Sequence, residues 1–341
     1  MTNTAHDTAR SGAGLKRVFK QGLSAPAVWP LVSSWLRPTC LVLAYHRIGH
    51  AGDPYPHVEV EQFRAQMRWL RRYCTPIAVT DLVAVIEKDF GGRTPVLITF
   101  DDGYQDYCRE AYPILREFDI PAVNFLPTHF IDHGGIFWWD AINLAGPMTR
   151  KTAVTLPWSS ERIVLDDTGR AVLMRRCKDR LKYVRHHELA GELRAILEAL
   201  DVDLNALPAE RHVMTWDQIR TTRDLTTYGG HLHTHPIVDR IGLEELEGEI
   251  VTCRDRIAAE TGSAPLTFAY PDGQVTEAAK PLLGKHGFEL AFSIRKGVVG
   301  DDVDWFEILR YPGPRVLEDL AWLVARVSGL GPWRPRGASA R

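Results

Sequence analysis

Two aspartates stand side by side at the end of an apolar run: Val96-Leu97-Ile98-Thr99-Phe100 leads directly into Asp101-Asp102-Gly103. Adjacent like charges repel unless a cation or a proton lies between them. Gly103 lets the chain turn sharply just after the pair. Downstream, Gly229-Gly230-His231-Leu232-His233-Thr234-His235-Pro236 places three histidines within five residues. His231 and His235 are four apart, which in a helical turn puts both imidazoles on one side. That is a spacing with which two histidines share a divalent ion. No Glu follows His231, so the HExxH pattern of the zinc proteases is excluded, and His233 is expected to point elsewhere, behind the ligands or into solvent. A third segment, Phe268-Ala269-Tyr270-Pro271-Asp272-Gly273, ends in a Pro/Gly turn that can aim backbone N–H groups at a developing negative charge. Each segment alone has a plainer reading: a turn or helix cap for Asp-Asp-Gly, and a strand-ending turn for the third.

All three segments follow short apolar runs. Cys40–Tyr45, Val96–Phe100, Ala122–Leu126, Thr226–Tyr228, Leu266–Tyr270 and Phe288–Ile294 read as strands, and stretches with helical spacing, such as Val58–Tyr73 and Glu244–Glu260, alternate with them. Continuous apolar strands separated by helices mean a parallel sheet covered by helices, an α/β fold. About seven strands suit a barrel or near-barrel, and such folds carry their sites at the C-terminal ends of the strands. Shorter helices are expected at Asp81–Lys88, at Val275–His286, and over Tyr104–Phe118 with a kink at Pro113. Residues 140–212 break the rhythm and read as a helical insertion, either a lid over one end of the sheet or a longer connection with no part in the site. The expected organisation is an N-terminal extension over 1–37, a barrel domain over 38–312, and a C-terminal helix and tail over 313–341.

The chain has 341 residues, 45% of them apolar and 25% charged, which is enough for an ordinary core. A net charge of −2 sets aside a basic nucleic-acid surface. The five cysteines include no CxxC pair, which argues against a thiolate zinc site or a disulfide framework. Their odd number favours a reducing compartment. No apolar stretch is long enough to cross a membrane, and no clean secretory signal opens the chain. The expected location is cytoplasmic. Leu15, Val18, Phe19 and Leu23 at helical spacing beside Lys16, Arg17 and Lys20 leave room for contact with the inner membrane surface, although a helix packed on the domain is the favoured reading.

The order strand-Thr-Phe-Asp-Asp-Gly, then Gly-His-x-x-x-His-Pro, then Phe-x-Tyr-Pro-x-Gly resembles the polysaccharide deacetylases of the NodB-homology type, carbohydrate esterase family 4, over residues 38–312. The resemblance implies a distorted (β/α) barrel with one metal ion at the strand ends. Asp102, His231 and His235 would hold the ion, zinc or else cobalt, nickel or manganese, and Asp101 would be the general base. The inventory suits amide hydrolysis independently. One carboxylate and two imidazoles leave coordination positions open, and the spare carboxylate can take a proton from water.

Such enzymes usually draw a general acid from a histidine on a late strand, but no histidine follows His286. Leu41-Val42-Leu43-Ala44-Tyr45-His46 offers one on the first strand, which in a barrel neighbours the last. A circularly permuted arrangement would make His46 the general acid. The chain departs from the family at Leu232, where Ser or Thr is common, at Ala269, where many members carry an arginine that tunes the base, and at Asp272, where they carry a tyrosine. Arg47, Arg295 and Arg310 are the candidate substitutes, with Arg310 carried forward. Tyr270 and Asp272 are expected around the oxyanion, and Trp138 and Trp139 against sugar rings, with Tyr104 and Trp216 as further aromatic candidates.

The expected activity is removal of an acetyl group from an N-acetylated amino sugar in a polysaccharide, oligosaccharide or lipid-linked glycan. The alternatives are hydrolysis of a small non-sugar amide on the same barrel, and a silent carbohydrate-binding relative. A carbohydrate is the expected partner. Nucleic acid is not, and no protein partner is readable.

Overall fold

In a computed structural model, residues 39–203 and 212–330 are described, together with most of 20–36. The strands are β1 (Leu41–Tyr45), β2 (Ile48–Gly49), β3 (Val58–Glu59), β4 (Thr75–Pro76), β5 (Pro95–Phe100), β6 (Ala122–Leu126), β7 (Ala153–Thr155), β8 (Arg162–Val164), β9 (Thr226–Gly230), β10 (Thr267–Ala269), β11 (Leu290–Phe292) and β12 (Tyr311–Pro312). Seven of them form one parallel path, β11-β10-β9-β6-β5-β1-β12, and β4 pairs beside the start of β5. The path is a half-barrel whose ends approach through a parallel bridge between Phe292 and Ile308. Every residue of β1, β5 and β6 is buried. Parallel strands covered on both faces must be apolar throughout, which is why these segments read as unbroken hydrophobic runs.

Helices cover the outside. In Val60–Tyr73, Phe63, Met67 and Leu70 recur at helical spacing and are fully buried; burying a side chain such as Phe63 contributes roughly 1.5–3 kcal/mol. The C-terminal helix Leu317–Val327 packs its Leu320, Ala321 and Val324 into the same cluster, so it is part of the barrel's core. Near the N-terminus, Leu23 and Trp29 join that cluster while Val18 is 67% exposed; Leu15 and Phe19 of the expected amphipathic helix lie outside the described residues. Among the described residues no helix is long and apolar enough to cross a membrane.

Three expected helices take other forms. Asp81–Lys88 is replaced by two 3-10 turns, Val79–Asp81 and Val83–Ile86. Tyr104–Phe118 resolves into a π-helical turn at Tyr107–Ala111 followed by an α-helix, Tyr112–Glu117. The helical path is continuous from Gln105, and the π-turn lies immediately before Pro113, whose missing N–H cannot bond back to the preceding turn, so the irregularity expected at Pro113 falls here. The third is shorter than expected, Ala279–Lys285. The insertion opens with the helix Trp138–Met148 and continues through an antiparallel hairpin, β7–β8, to the helices Asp167–Tyr183 and His186–Leu200. It has a core of its own, with Ile142, Leu156, Leu173, Cys177 and Ile196 buried together.

Candidate functional site

The C-terminal ends of β1, β5, β9 and β10 converge on one cavity of about 470 Å³, lined among others by His46, Asp101, Asp102, His231, His235 and Arg310. Backbone strain is concentrated here. Of six non-glycine residues with positive φ among the described residues, four belong to the loops at this end: Asp102 (φ 72°), Leu232 (63°), His235 (62°) and Asp272 (51°). Such conformations persist only where the surroundings hold them, and they cluster at functional sites. Gly103, at φ 62°, continues the left-handed turn begun by Asp102.

Asp102 Oδ1 lies 3.4 Å from His231 Nε2 and 3.2 Å from His235 Nε2. One potential ligand atom from each of the three residues falls within 4.8 Å of the others. The two imidazoles do not share a helical turn, as their spacing suggested. His231 follows directly on β9, and the positive φ at Leu232 and His235 folds an irregular loop that returns the second ring to the first, their centroids 4.7 Å apart. Gly229 makes this possible on the inner side, because a Cβ there would collide with Phe125. Leu232, in place of a hydroxyl residue, is buried with Phe268 and Tyr270. His233 points away, with Nδ1 2.8 Å from Thr128 Oγ1.

The polarity of this triad calls for a cation. His231 Nδ1 lies 2.7 Å from the carbonyl oxygen of Ala269. A carbonyl only accepts, so Nδ1 carries the hydrogen and Nε2 turns its lone pair toward the Asp102 carboxylate. Lone pair facing carboxylate is repulsive unless a positive ion sits between them. A backbone carbonyl that fixes the tautomer of a histidine is a usual support of a metal ligand. Burial lowers the proton affinity of His235, which favours the neutral, ligating ring. Burial would raise the Asp102 carboxyl, but positive charge at the facing His231 and His235 nitrogens, whether a proton or an ion in its place, outweighs it and holds Asp102 far below the usual carboxylate range. The donor set therefore fits one divalent ion.

Asp101 is held differently. Arg310 Nη1 and Nη2 each lie 2.8 Å from one of its oxygens. Burial alone would raise its carboxyl; the Arg310 guanidinium, with His46 and His231, brings it below the ordinary value. Arg310 is fully buried and also donates to Ser293 O and Thr99 Oγ1. Its guanidinium lies near the rings of Phe125 and Phe292, in the interior cluster that includes Ala269. The small Ala269 thus faces the same interior that the arginine reaches from the strand closing the barrel. Arg47 instead pairs with Asp106 and stacks on Tyr55 and Tyr104, and Arg295 pairs with Glu307. His46, directly after β1, has its side chain half exposed at the cavity and Nε2 3.9 Å from Asp101 Oδ2.

Trp138 and Trp139 line the cavity. Trp139 lies 4.8 Å from the His235 ring, and its Nε1 donates to Tyr104 Oη, which donates to Asp140. Two expected positions are corrected. Tyr270 does not face the cavity. Phe268 and Tyr270, two apart, share the outer face while Ala269 faces inward, and the Tyr270 hydroxyl donates to Phe306 O. Trp216 opens a helix away from the cavity, with its Nε1 donating to Asp132 and Arg256 over its ring. Asp272 does line the cavity, as expected of the turn whose backbone N–H groups were placed near the oxyanion, and its carboxylate accepts from Lys182 Nζ at 2.7 Å.

The insertion turns out to be a wall of the site, contributing Trp138, Trp139, Lys178 and Lys182. No local motif announces the two lysines. Their i, i+4 spacing on a charged helix has the look of an ordinary solvated face.

Residues 89–155 match the polysaccharide deacetylase family model. The chain is 32% identical over 109 residues to the Bacillus subtilis (strain 168) protein YxkH, named as a candidate polysaccharide deacetylase, a match covering 30% of this chain and 38% of that protein. It is 31% identical over 72 residues to a poly-beta-1,6-N-acetyl-D-glucosamine N-deacetylase of Staphylococcus epidermidis, covering 21% of this chain and 25% of that one. The matched stretches thus span well under half of either relative. Among solved structures, the Streptococcus pyogenes deacetylase PplD in complex with acetate superposes with a TM-score of 0.57 at 13% identity, over 84% of this chain and 98% of that one. IcaB from Ammonifex degensii superposes with a TM-score of 0.54 at 18% identity, over 86% and 98%. At such identities these likenesses establish the fold.

Proposed function

Starting from a chain that belongs with the NodB-homology polysaccharide deacetylases in fold and over residues 89–155, we propose that it is a metal-dependent N-deacetylase that hydrolyses the acetamido group of an N-acetylated amino sugar in a glycan. The observation that carries the reading is the pairing of two carboxylates with separate tasks. Asp102 stands with His231 and His235, and Asp101 is clamped by Arg310 beside them. The activity named for the Staphylococcus epidermidis relative supports the same substrate class.

Asp102, His231 and His235 would hold the ion, and zinc suits two imidazoles and a carboxylate, with cobalt, nickel or manganese also compatible. When bound, a divalent ion supplies Lewis acidity toward water and the acetyl oxygen. Asp101 takes the proton from the attacking water. Arg310 fixes the orientation of that carboxylate and keeps it ionised in the neutral range, so it is ready to accept. His46, across from Asp101 at the cavity mouth, gives a proton to the departing amine. Water is consumed, the C–N bond breaks, and acetate and the free amino sugar leave. The flat face of Trp139 borders the space in which the sugar ring would lie.

The test is acetate release from N-acetylglucosamine oligomers and a lipid-linked N-acetyl sugar, with zinc added, with chelator, and with Asp101→Asn. Acetate that vanishes with chelator and with the variant supports the reading. A stoichiometric bound metal with no acetate from any sugar overturns it in favour of small-amide hydrolysis or a silent binding relative.

A further inference from the structure

The groove around the site carries more positive charge than a neutral sugar needs. The cavity over the metal triad and a second, of about 320 Å³, share His46, Asp102, Trp139 and Lys178, so they form one continuous groove with the reacting centre at its middle. In the first cavity, Arg310 is neutralised by Asp101 and Lys182 by Asp272. Lys178 and Lys296 then face Asp102 alone, a carboxylate already committed to the histidines. In the second cavity, Arg315 is exposed and forms no ion pair among the described residues. The chain as a whole carries a net charge of −2, so this excess is local.

Lys178 is the informative member. It lies on the insertion helix, partly buried, at the junction of both cavities, and its Nζ donates to the neutral amide oxygen of Asn143 at 2.5 Å. The Asp140 carboxylate lines the second cavity too and supports the charge of Lys178 through space, but its hydrogen bonds come from Tyr104 and Asn143 and no direct ion pair joins it to Lys178. An ammonium drawn partly out of water without a carboxylate in direct contact is costly to the fold. Such a group at the meeting point of a substrate groove is placed to receive an anion.

We propose that the glycan is anionic, with a carboxylate or phosphate on a sugar adjacent to the N-acetylated one seated against Lys178, and Lys296 and Arg315 meeting the chain on either side. The proposal rests on the deacetylase reading and specifies its substrate class. A uronic acid and a phosphodiester link present the same chemistry to an ammonium, so the test separates them.

The test compares kcat/KM for three zinc-loaded reactions: on a neutral N-acetylglucosamine hexamer, on a hexamer alternating N-acetylglucosamine with glucuronate, and on an oligomer of N-acetylglucosamine 1-phosphate. Each is run at about 20 mM and about 300 mM NaCl, since screening distinguishes charge recognition from shape. One of the anionic substrates is expected to lead the neutral one by about tenfold or more at low salt, and whichever leads identifies the anion; the lead shrinks at high salt. Lys178→Met brings the anionic-to-neutral ratio toward one. Lys296→Gln with Arg315→Gln, at exposed positions that the fold tolerates, lowers the ratio and flattens its salt dependence.

Binding of the same oligomers is followed in parallel by tryptophan fluorescence. Salt-sensitive, Lys178-dependent binding without turnover of any substrate would sink the deacetylase reading and leave the anion site standing. Equal use of neutral and anionic oligomers, or a preference that Lys178→Met does not alter, overturns the proposal.

Discussion

Arg310 meets Asp101 through two parallel hydrogen bonds of 2.8 Å, across a sequence separation of 209 residues, with both side chains almost wholly buried. A planar guanidinium matches a carboxylate in this way and lysine does not. Arg310→Met would leave a buried carboxylate uncompensated, and a loss of about 3–5 kcal/mol of stability is expected, read from urea unfolding. The sign of the pH effect follows from the lowered Asp101 carboxyl. Its contribution is present above the unfolded value, near 3.9, and is lost as pH falls through the folded one. Wild-type stability should therefore hold through the neutral range, with the part due to this pair disappearing only below about pH 4. In Arg310→Lys, which keeps the charge but not the fork, Asp101 is less well held, and the acid limb of the pH–rate profile should move upward. An unmoved limb would show that Arg310 does not tune the base.

The triad of Asp102, His231 and His235 predicts a metal stoichiometry as well as an activity. Elemental analysis should find one divalent ion per chain, and Asp102→Asn or His231→Gln should reduce it to a small fraction. If the triad of the folded chain holds an ion that the unfolded chain does not, adding zinc at about 100 times its dissociation constant should stabilise the protein by about 2.7 kcal/mol, and chelator should reverse the gain in Tm. Zinc-independent melting of the wild type, with no metal recovered, would refute the site.

Asp101, Asp102, His231 and His235 were legible in the sequence because each lies within two residues of a strand end or on the loop just beyond it, and parallel strands bring such ends together. Arg310 was one of three possible arginines. Choosing it requires knowing that Ile308 bridges β11 and that β12 returns beside β1. Tyr270 was misplaced for a local reason: strand alternation carries on past Ala269 and turns the ring outward before the Pro271 turn begins. The helical geometry expected of His231 and His235 failed because spacing alone does not fix backbone conformation, and the left-handed residues Leu232 and His235 break any helix there. Lys178 and Lys182 were illegible because their reach depends on where the whole insertion packs.

His46 sits half exposed across from Asp101, and if it delivers the proton to the amine its loss should slow turnover without emptying the metal site. His46→Asn should lower kcat by about 10²- to 10⁴-fold, the usual contribution of general acid–base catalysis. Metal content and Tm should stay near wild-type values. The loss should shrink on substrates whose leaving amine is a weaker base, because those need less help from a proton donor. Near-normal turnover of the ordinary substrate would remove His46 from the mechanism.

Trp139 is tied by its Nε1 to Tyr104 and lies tilted at 53° to the ring of His235, the centroids 4.8 Å apart, and it is stacked at 4.6 Å on Phe137. The ring is therefore fixed before any sugar arrives, and binding need not order it. Trp139→Ala should raise KM more than it lowers kcat if the indole serves as a platform for the sugar, because a contact made equally in the ground and transition states affects binding alone. The rise should be several-fold on oligosaccharides and absent on a minimal N-acetylated amine that has no ring to stack. Trp139→Phe removes the hydrogen bond to Tyr104 but keeps an aromatic face, and it should recover most of the affinity. If instead kcat falls with KM unchanged in both variants, the indole acts by positioning His235 and not by holding sugar.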